Sequence, residues 1–326
     1  MLQEQTQHMG IAMAYAIMGS VCRAQGRYES ALEHHQKFLA IAIKALGEDH
    51  PDVATAYAWI ASVYSDQGKD EMALELHQKC LAIDIKAKGE DHRDVAGTYI
   101  NIANVYSNQG NDEMALEQYE KSLAIKIKVL GEDHPDVATT YNNIALVYKT
   151  QGKYEMAIGL VYNTQGKHEM ALELYAKSLA IQIKTASKWA AFGRGEVDLD
   201  EANLDVANTY YKIAGVYKTQ DKYEMAVWHF KKCLEIRIKV LGANNLDVAK
   251  TYYMLACLYS MQKKYELALE TYGKCLAIRI AVLGENHVDV DHTKNKMSMV
   301  RSTRAIDEFD RVIDSPWPGS VGWSER

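Results

Sequence analysis

The tripeptide Asp-Val-Ala recurs along this chain at a nearly constant distance, and this period limits the possible folds more than any other feature. Its alanine returns every 42 residues, except for one interval of 69 residues, and residue 12 continues the series backwards. The alanines of the series are Ala12, Ala54, Ala96, Ala138, Ala207 and Ala249. A fixed period of this length is typical of a solenoid, in which each repeat packs only against its neighbours.

Each repeat shows the hydrophobic periodicity of two helices. In the third repeat, the apolar residues of each half are spaced by three or four, which places them on one helix face. They are Val95, Tyr99, Ile102 and Tyr106, followed by Leu116, Tyr119, Leu123, Ile127 and Leu130. Gly110 lies between the two halves and can end the first helix in the left-handed conformation. The sequence therefore predicts an all-α fold built from antiparallel helix pairs.

The phrase LGEDHPDVA, which joins one repeat to the next, contains residues suited to a helix end and to a helix start. We expect Gly47 to end the preceding helix, Asp49 to cap the following one, and Pro51 to lie in its first turn. The counterparts in a later copy are Gly131, Asp133 and Pro135.

A histidine also recurs in this joining segment, as His50, His92, His134 and His287. A zinc ion needs its ligand nitrogens about 2 Å away, whereas stacked repeats are displaced by roughly one helix diameter, about 10 Å. We therefore interpret these histidines as capping residues of the loops, and we predict no metal site.

The pattern of small and aromatic residues resembles the tetratricopeptide repeat. The first helix has a small residue at Ala61, Ala103 and Ala145, and a tyrosine three residues later, while the second helix has an alanine near its start. The repeat length and the phrases LGEDHPDVATTYNNIALVY and QGKYEMA are most similar to the kinesin light chain type, over about residues 9–290. This resemblance implies a right-handed α-solenoid. The coiled coil that precedes the repeats in that family has no counterpart in this sequence.

The resemblance also implies that the first helix of each pair lines a concave groove. The outward residues of these helices are rich in asparagine, aromatic residues and, in the later repeats, lysine. Asparagine can bond to a peptide backbone, and aromatic side chains dominate interface energetics. The alternative is that the polar residues are ordinary solvent-exposed filler. The predicted groove residues are Trp59, Asn101, Asn104, Asn142, Asn143, Lys149, Tyr211, Lys212, Lys218, Lys250 and Tyr253.

We predict a domain organisation of an N-terminal tail at 1–8, six repeats at 9–288, a C-terminal capping helix at 289–313 and a disordered tail at 314–326. The fourth repeat is irregular over 146–203, because the turn phrase TQGK occurs twice, 14 residues apart. Two structures compete: a longer helix that contains a glycine, or a short third helix. We favour the third helix because both turn phrases are intact, and expect it to break the groove after Asn143.

Charge and composition exclude several classes of function. The net charge of −6 disfavours nucleic-acid binding. The five cysteines form no CxxC pair, which favours a reducing, cytoplasmic location. The uncharged run Met9–Cys22 is too short to span a membrane. No catalytic or phosphate-binding pattern is present, so we predict neither an enzyme nor a cofactor.

The sequence therefore predicts a monomeric protein-binding scaffold that holds extended peptides in its groove. Because lysines gather in the later repeats, the peptides are expected to carry acidic residues beside an aromatic anchor. The alternative is a regulatory or oligomerisation arm of a larger motor or signalling assembly. The tail, with Trp317 and Trp323 beside acidic residues, could also fold back as an autoinhibitory segment.

Overall fold

The computed structural model describes the backbone of residues 2–157, 161–191 and 196–313, and side chains within 9–151, 167–191 and 198–309. Over these residues the chain is helical and contains no strand. The helices are α1 (Leu2–Ala24), α2 (Tyr28–Leu46), α3 (Pro51–Asp66), α4 (Asp70–Lys88), α5 (Arg93–Asn108), α6 (Asp112–Leu130), α7 (Pro135–Ala157), α8 (Val161–Ala191), α9 (Glu196–Thr219), α10 (Tyr223–Leu241), α11 (Leu246–Met261), α12 (Tyr265–Leu283) and α13 (Val288–Ile313).

Consecutive helices pack as pairs. The odd-numbered helix of a pair, here called helix A, lies against the even-numbered helix B in the pairs that start with α1, α3, α5, α9 and α11. Helix B also contacts the following helix A after α2, α4, α6, α10 and α12. Small residues make the close approach possible: Ala61 of α3 and Ala73 of α4 are both fully buried. The all-α solenoid of helix pairs predicted from the 42-residue period is confirmed.

The joining segments end and start helices as their residues dictate, with one correction. Gly47 ends α2 at a φ of 90°, which a glycine adopts without strain. His50 Nδ1 accepts a hydrogen bond from the Asp52 amide at 3.1 Å, so the histidine is the N-cap of α3. His92, His134 and His287 make the same bond. The prediction that Asp49 caps this helix is wrong; Asp49 instead binds Lys86, because the histidine ring already occupies the cap.

The third-helix prediction for the duplicated turn phrase is also wrong. The helix α7 runs through Gly152 to Ala157, and α8 begins at Val161 and runs through Gly166. Ala171 of α8 is fully buried, at the position that alanine holds at the start of every helix B. Packing at this alanine decides where the pair forms, so the intact glycine signals inside the helices do not end them.

The chain divides into two compact units, residues 1–181 and 182–326, with the boundary inside α8. We call them the N-terminal and the C-terminal unit. Residues 2–8, predicted as a tail, continue α1. The tail at 314–326 lies outside the described residues, and the break predicted after Asn143 stays a prediction.

Candidate functional site

One position of helix B connects each repeat to the next, and its residue changes along the chain. We call it the ladder position. It faces a threonine, or in one repeat an alanine, of the following helix A, and an aspartate lies four residues before that threonine or alanine. The ladder residues, in chain order, are Ala42, Asp84, Lys126, Gln182, Arg237 and Arg279. The residues that they face are Ala56, Thr98, Thr140, Thr209, Thr251 and Thr293.

In the C-terminal unit the ladder residue is an arginine that ties two helices A together. Arg237 donates from Nη1 to the Asp247 carbonyl at 3.0 Å and to Thr251 Oγ1 at 2.9 Å. Its Nη2 donates to Asn208 Oδ1 at 2.8 Å. The guanidinium also lies 5.0 Å from the ring centre of Tyr211, as a cation–π contact. Arg237 is thus nearly buried, at 6% exposure, and all these partners are neutral.

Arg279 repeats this arrangement one repeat later. Its Nη1 donates to the Asp289 carbonyl at 2.9 Å and to Thr293 Oγ1 at 2.8 Å, and its guanidinium lies 5.2 Å from the Tyr253 ring centre. None of the ion pairs between described residues includes Arg237 or Arg279. The ladder therefore places two arginine charges against Tyr211 and Tyr253, and neither charge is paired with a described carboxylate.

Two predicted groove residues of the C-terminal unit, Tyr211 and Lys250, make a cation–π contact. Lys250 Nζ lies 5.7 Å from the Tyr211 ring centre, so this ring is approached by two cations. Burial raises the pKa of Tyr211, although the charge of Arg237 opposes this shift.

Tyr253 is the centre of a second cluster of aromatic and cationic side chains. Its hydroxyl and His292 Nε2 are 2.8 Å apart, and its ring packs edge-on against Tyr272. Burial raises the pKa of Tyr253 to about 12.

The other predicted lysines of this unit, Lys212 and Lys218, are half-buried on α9. Burial lowers the pKa of Lys212, and Asp205 partly compensates. A lysine that is partly desolvated in this way gains more from an added carboxylate than an exposed one does.

The asparagines predicted in the N-terminal unit are already engaged or buried to different degrees. Asn104 accepts a hydrogen bond from the Tyr119 hydroxyl. Asn142 is buried, while Asn101, Asn143 and Lys149 are half-buried.

Trp59 lies half-buried between two partners, with its ring 5.2 Å from Phe38 and 5.4 Å from His35. It lines a cavity of about 330 Å³ together with Arg23 and Asp66, which form an ion pair there. Trp59 therefore contributes to packing as well as to a surface.

A second cavity, of about 390 Å³, opens in the N-terminal unit between α3 and α7. Gly97 and Asn101 of α5 line it, and so do Lys88 and Lys126. Lys88 Nζ binds Asp84 Oδ1 and Asp94 Oδ2, both at 2.7 Å. Lys126, at the ladder position, is 8% exposed and donates to the Asp136 carbonyl and Thr140 Oγ1, both at 3.2 Å. Burial lowers its pKa.

Sequence reasoning missed the ladder residues because it assigned the groove to helix A alone. The signal was present: the phrases LAIKIKVL, LEIRIKVL and LAIRIAVL each carry a cation among buried aliphatic residues. A charged residue at a position that is apolar in the first repeat, Ala42, indicates a polar connection between repeats.

The cysteines that share one packing position are buried and unreactive in character. Burial raises the pKa of Cys80 to about 12 and also raises that of Cys233 and Cys275. Within the described ranges, no three His, Cys, Asp or Glu residues come together as metal ligands, and no helix is long and apolar enough to cross a membrane.

The repeated helix pairs define a helical-repeat protein. The family profile described as "Tetratricopeptide repeat" matches residues 10–86, 94–160 and 205–301, which is most of the chain. The chain therefore belongs to the tetratricopeptide repeat family, whose members are typically protein-interaction scaffolds.

Solved structures show the same fold. BtubC (BKLC) from P. vanneervenii has a TM-score of 0.59 and 18% identity, covering 79% of this chain and 91% of that one. The Podosopora anserina putative kinesin light chain with nearly identical TPR-like repeats has a TM-score of 0.52 and 20% identity, covering 70% and 95%. These identities support a common fold only. A comparison with curated protein sequences gives no significant match.

Proposed function

We propose that the protein is a non-enzymatic, cytoplasmic scaffold that binds extended peptides carrying an acidic residue beside an aromatic one. The observation that carries this proposal is the groove face of the C-terminal unit. There Arg237, Arg279 and Lys250 lie beside Tyr211 and Tyr253, and no described carboxylate forms an ion pair with any of the three cations.

A bound acidic side chain supplies the missing negative charge, and an aromatic side chain adds a ring to the tyrosines. Hydrogen bonds between charged groups are about twice as strong as neutral ones, and aromatic pairs contribute about 0.5–1.5 kcal/mol beyond their buried area. Protein or peptide partners suit this face, whereas the acidic chain as a whole repels nucleic acid.

The test is a fluorescence-anisotropy titration with synthetic peptides that contain glutamates flanking one tryptophan. We expect micromolar affinity that falls as salt is added. The double variant Lys212→Glu and Lys250→Glu should abolish binding, because it reverses two charges on α9 and α11. Unchanged affinity in this variant contradicts the proposal.

A matched control is Lys231→Glu with Lys274→Glu. It changes the net charge by the same amount, but on the exposed surface of α10 and α12. We expect it to bind the peptides like the wild type. Thermal unfolding of both double variants separates loss of the site from loss of the fold.

A second candidate function, self-association, is favoured by the outer face of α1. Ile11, Met18 and Val21 are 48%, 40% and 49% exposed. Their equivalents in α3 are Val53, Ile60 and Val63, which are at most 4% exposed because the preceding repeat covers them. The run from Met9 to Cys22 carries no charge that would oppose a second copy.

Light scattering after size exclusion tests this candidate. A dimer at low micromolar concentration that Met18→Glu converts to a monomer supports self-association through α1. A wild-type monomer at that concentration contradicts it and agrees with the monomeric scaffold.

A further inference from the structure

The hydrogen bonds around Arg237 mark three positions, and the same three positions surround Lys126. Arg237 binds the Asp247 carbonyl, Thr251 and Asn208. Subtracting 111 from each number gives Lys126, Asp136, Thr140 and Gly97. The bonds to the carbonyl and to the threonine are present in both repeats. The third acceptor is missing around Lys126, because Gly97 has no side chain.

The space over Gly97 is open. A Cβ atom placed there meets no atom within 4 Å, and Gly97 lines the 390 Å³ cavity together with Lys126. A lysine ammonium has three donors, and Lys126 uses two of them on described partners. The volume that the Asn208 amide takes in the C-terminal unit is thus available to a ligand atom in the N-terminal unit.

The charges of the cavity favour an anionic ligand group at Lys126. Its charged lining consists of Asp84, Asp94, Asp136, Lys88, Arg93 and Lys126. Lys88 is bound by two of these carboxylates, Asp84 and Asp94. Lys126 is more than nine-tenths buried and makes no ion pair with a described carboxylate. The Asp136 carboxylate is near enough to oppose the effect of burial, yet the pKa of Lys126 stays lowered. A buried charge without a directly bound counter-ion is costly, and an added carboxylate offsets that cost.

We propose that the cavity over Gly97 binds the carboxylate of a glutamate or aspartate side chain, with Lys126 as the hydrogen-bond donor. This proposal rests on the proposed function, because the acidic side chain belongs to a peptide in the groove. It assigns a carboxylate subsite to the N-terminal unit, where the sequence predicted a peptide contact at Asn101 but no cationic donor at this cavity. Its donor comes from helix B.

The decisive variant is Gly97→Asn, which supplies the acceptor that Asn208 provides in the other unit. We expect it to occupy the space over residue 97, bond to Lys126 and weaken binding of the glutamate–tryptophan peptides by at least about tenfold. Gly97→Ala is the matched control, since it leaves most of the cavity open and should bind normally. Lys126→Met should weaken binding to a similar degree as Gly97→Asn. Equal affinity of the wild type and Gly97→Asn overturns the proposal.

A second measurement needs no peptide. N-acetylglutamate amide is titrated into isotopically labelled protein, with N-acetylglutamine amide as the neutral control, and the amide resonances of Thr98 and Asn101 are followed. We expect saturable shifts with the glutamate compound alone, and none in Gly97→Asn. No shift, or equal shifts with both compounds, overturns the carboxylate assignment.

The two measurements separate the subsite from the proposed function. Peptide binding that is lost in the Lys212 and Lys250 double variant but kept in Gly97→Asn supports the groove and overturns the subsite. Saturable binding of N-acetylglutamate amide at Thr98 and Asn101, with no peptide binding anywhere, supports the subsite and overturns the proposed function.

Discussion

The two units are built from the same repeat, yet equivalent positions carry different chemistry. Where the C-terminal unit has Tyr211 and Tyr253 over ladder arginines, the second and third repeats have Ala58 and Ile100 over Asp84 and Lys126. At positions predicted to line a groove, the C-terminal unit thus has rings beside cations, while the N-terminal unit leaves a polar cavity.

A further difference lies in the position of helix B that packs against the small residue of helix A. It is His35 and His77 in the first two repeats, and Phe230 and Tyr272 in the last two. All four side chains are buried, and the Nδ1 atoms of both histidines have no hydrogen-bond partner. One backbone pattern therefore accommodates a histidine, phenylalanine or tyrosine ring at this position. The histidine ring carries a cost that rises as the pH falls.

The largest expected difference between the units is their response to acid. Burial lowers the pKa of His77 from 6.5 to about 4, and it also lowers that of His35. Because the unfolded state binds these protons more tightly, stability is complete above pH 6.5 and falls as the pH drops towards 4. For His77 the loss is about 3 kcal/mol at the acid end. Urea unfolding followed by hydrogen exchange should show the N-terminal unit opening first.

His77→Tyr is the control, since tyrosine occupies the equivalent position in the third repeat as Tyr119. It should remove most of this pH dependence. His229 of the C-terminal unit also has a pKa lowered to about 4 by burial, so acid destabilises that unit too, but through one such histidine instead of two. Equal acid sensitivity in His77→Tyr and the wild type would show that His77 is not the cause.

The period and the helix pairs could be predicted from the sequence because burial repeats with it. The fourth repeat could not, since Gly110 and Gly152 stand in the same local phrase but only Gly110 ends a helix. The burial of Ala171, which lies 19 residues after Gly152, favours a helix that continues through Gly152. Likewise, His50 and Asp49 are both capping residue types, and only loop geometry shows which one caps.

The candidate site was predictable on helix A and missed on helix B. Lysine and tyrosine at Lys250 and Tyr211 were found because outward residues can be counted from the helical period. The hydrogen bonds of Arg237 to a neighbouring repeat depend on how the pairs stack. A single helix pattern does not contain that information.

The second largest effect is expected at the ladder of the C-terminal unit. Arg237→Ala removes three hydrogen bonds from a charged donor, to Thr251, the Asp247 carbonyl and Asn208, and it removes packing against Tyr211. The Asp247 carbonyl keeps its bond from the Thr251 hydroxyl, at 2.8 Å. Since hydrogen bonds to a charged group contribute about 1.5–3 kcal/mol, we expect a loss of at least about 2 kcal/mol in urea unfolding. Lys126→Ala removes only two bonds in the N-terminal unit and should cost less. Equal losses of unfolding free energy in Arg237→Ala and Lys126→Ala would mean that the ladder residues stabilise the two units to the same degree.

A smaller effect of opposite sign should be shared by both units. Gly97 and Gly273 lie inside α5 and α12, and a Cβ atom meets nothing within 4 Å at either position. Replacing each by alanine should stabilise the protein by up to about 1 kcal/mol, because glycine is the poorer helix former. Thermal unfolding of the two single variants checks this. A loss of stability in Gly97→Ala alone would show that its open space is needed for the fold.

The smallest effect concerns two equivalent ion pairs of the N-terminal unit. Lys86 binds Asp49 and Lys128 binds Asp91, and in the C-terminal unit the corresponding residues include Ala281 and Asn244. The side chains of both pairs are more than half exposed, and such pairs contribute about 0–1 kcal/mol and are screened by salt. The double variant Lys86→Ala and Lys128→Ala should therefore change the free energy of unfolding little, and less in high salt. A large loss would mean that these charges, rather than the buried ladder, hold the N-terminal repeats together.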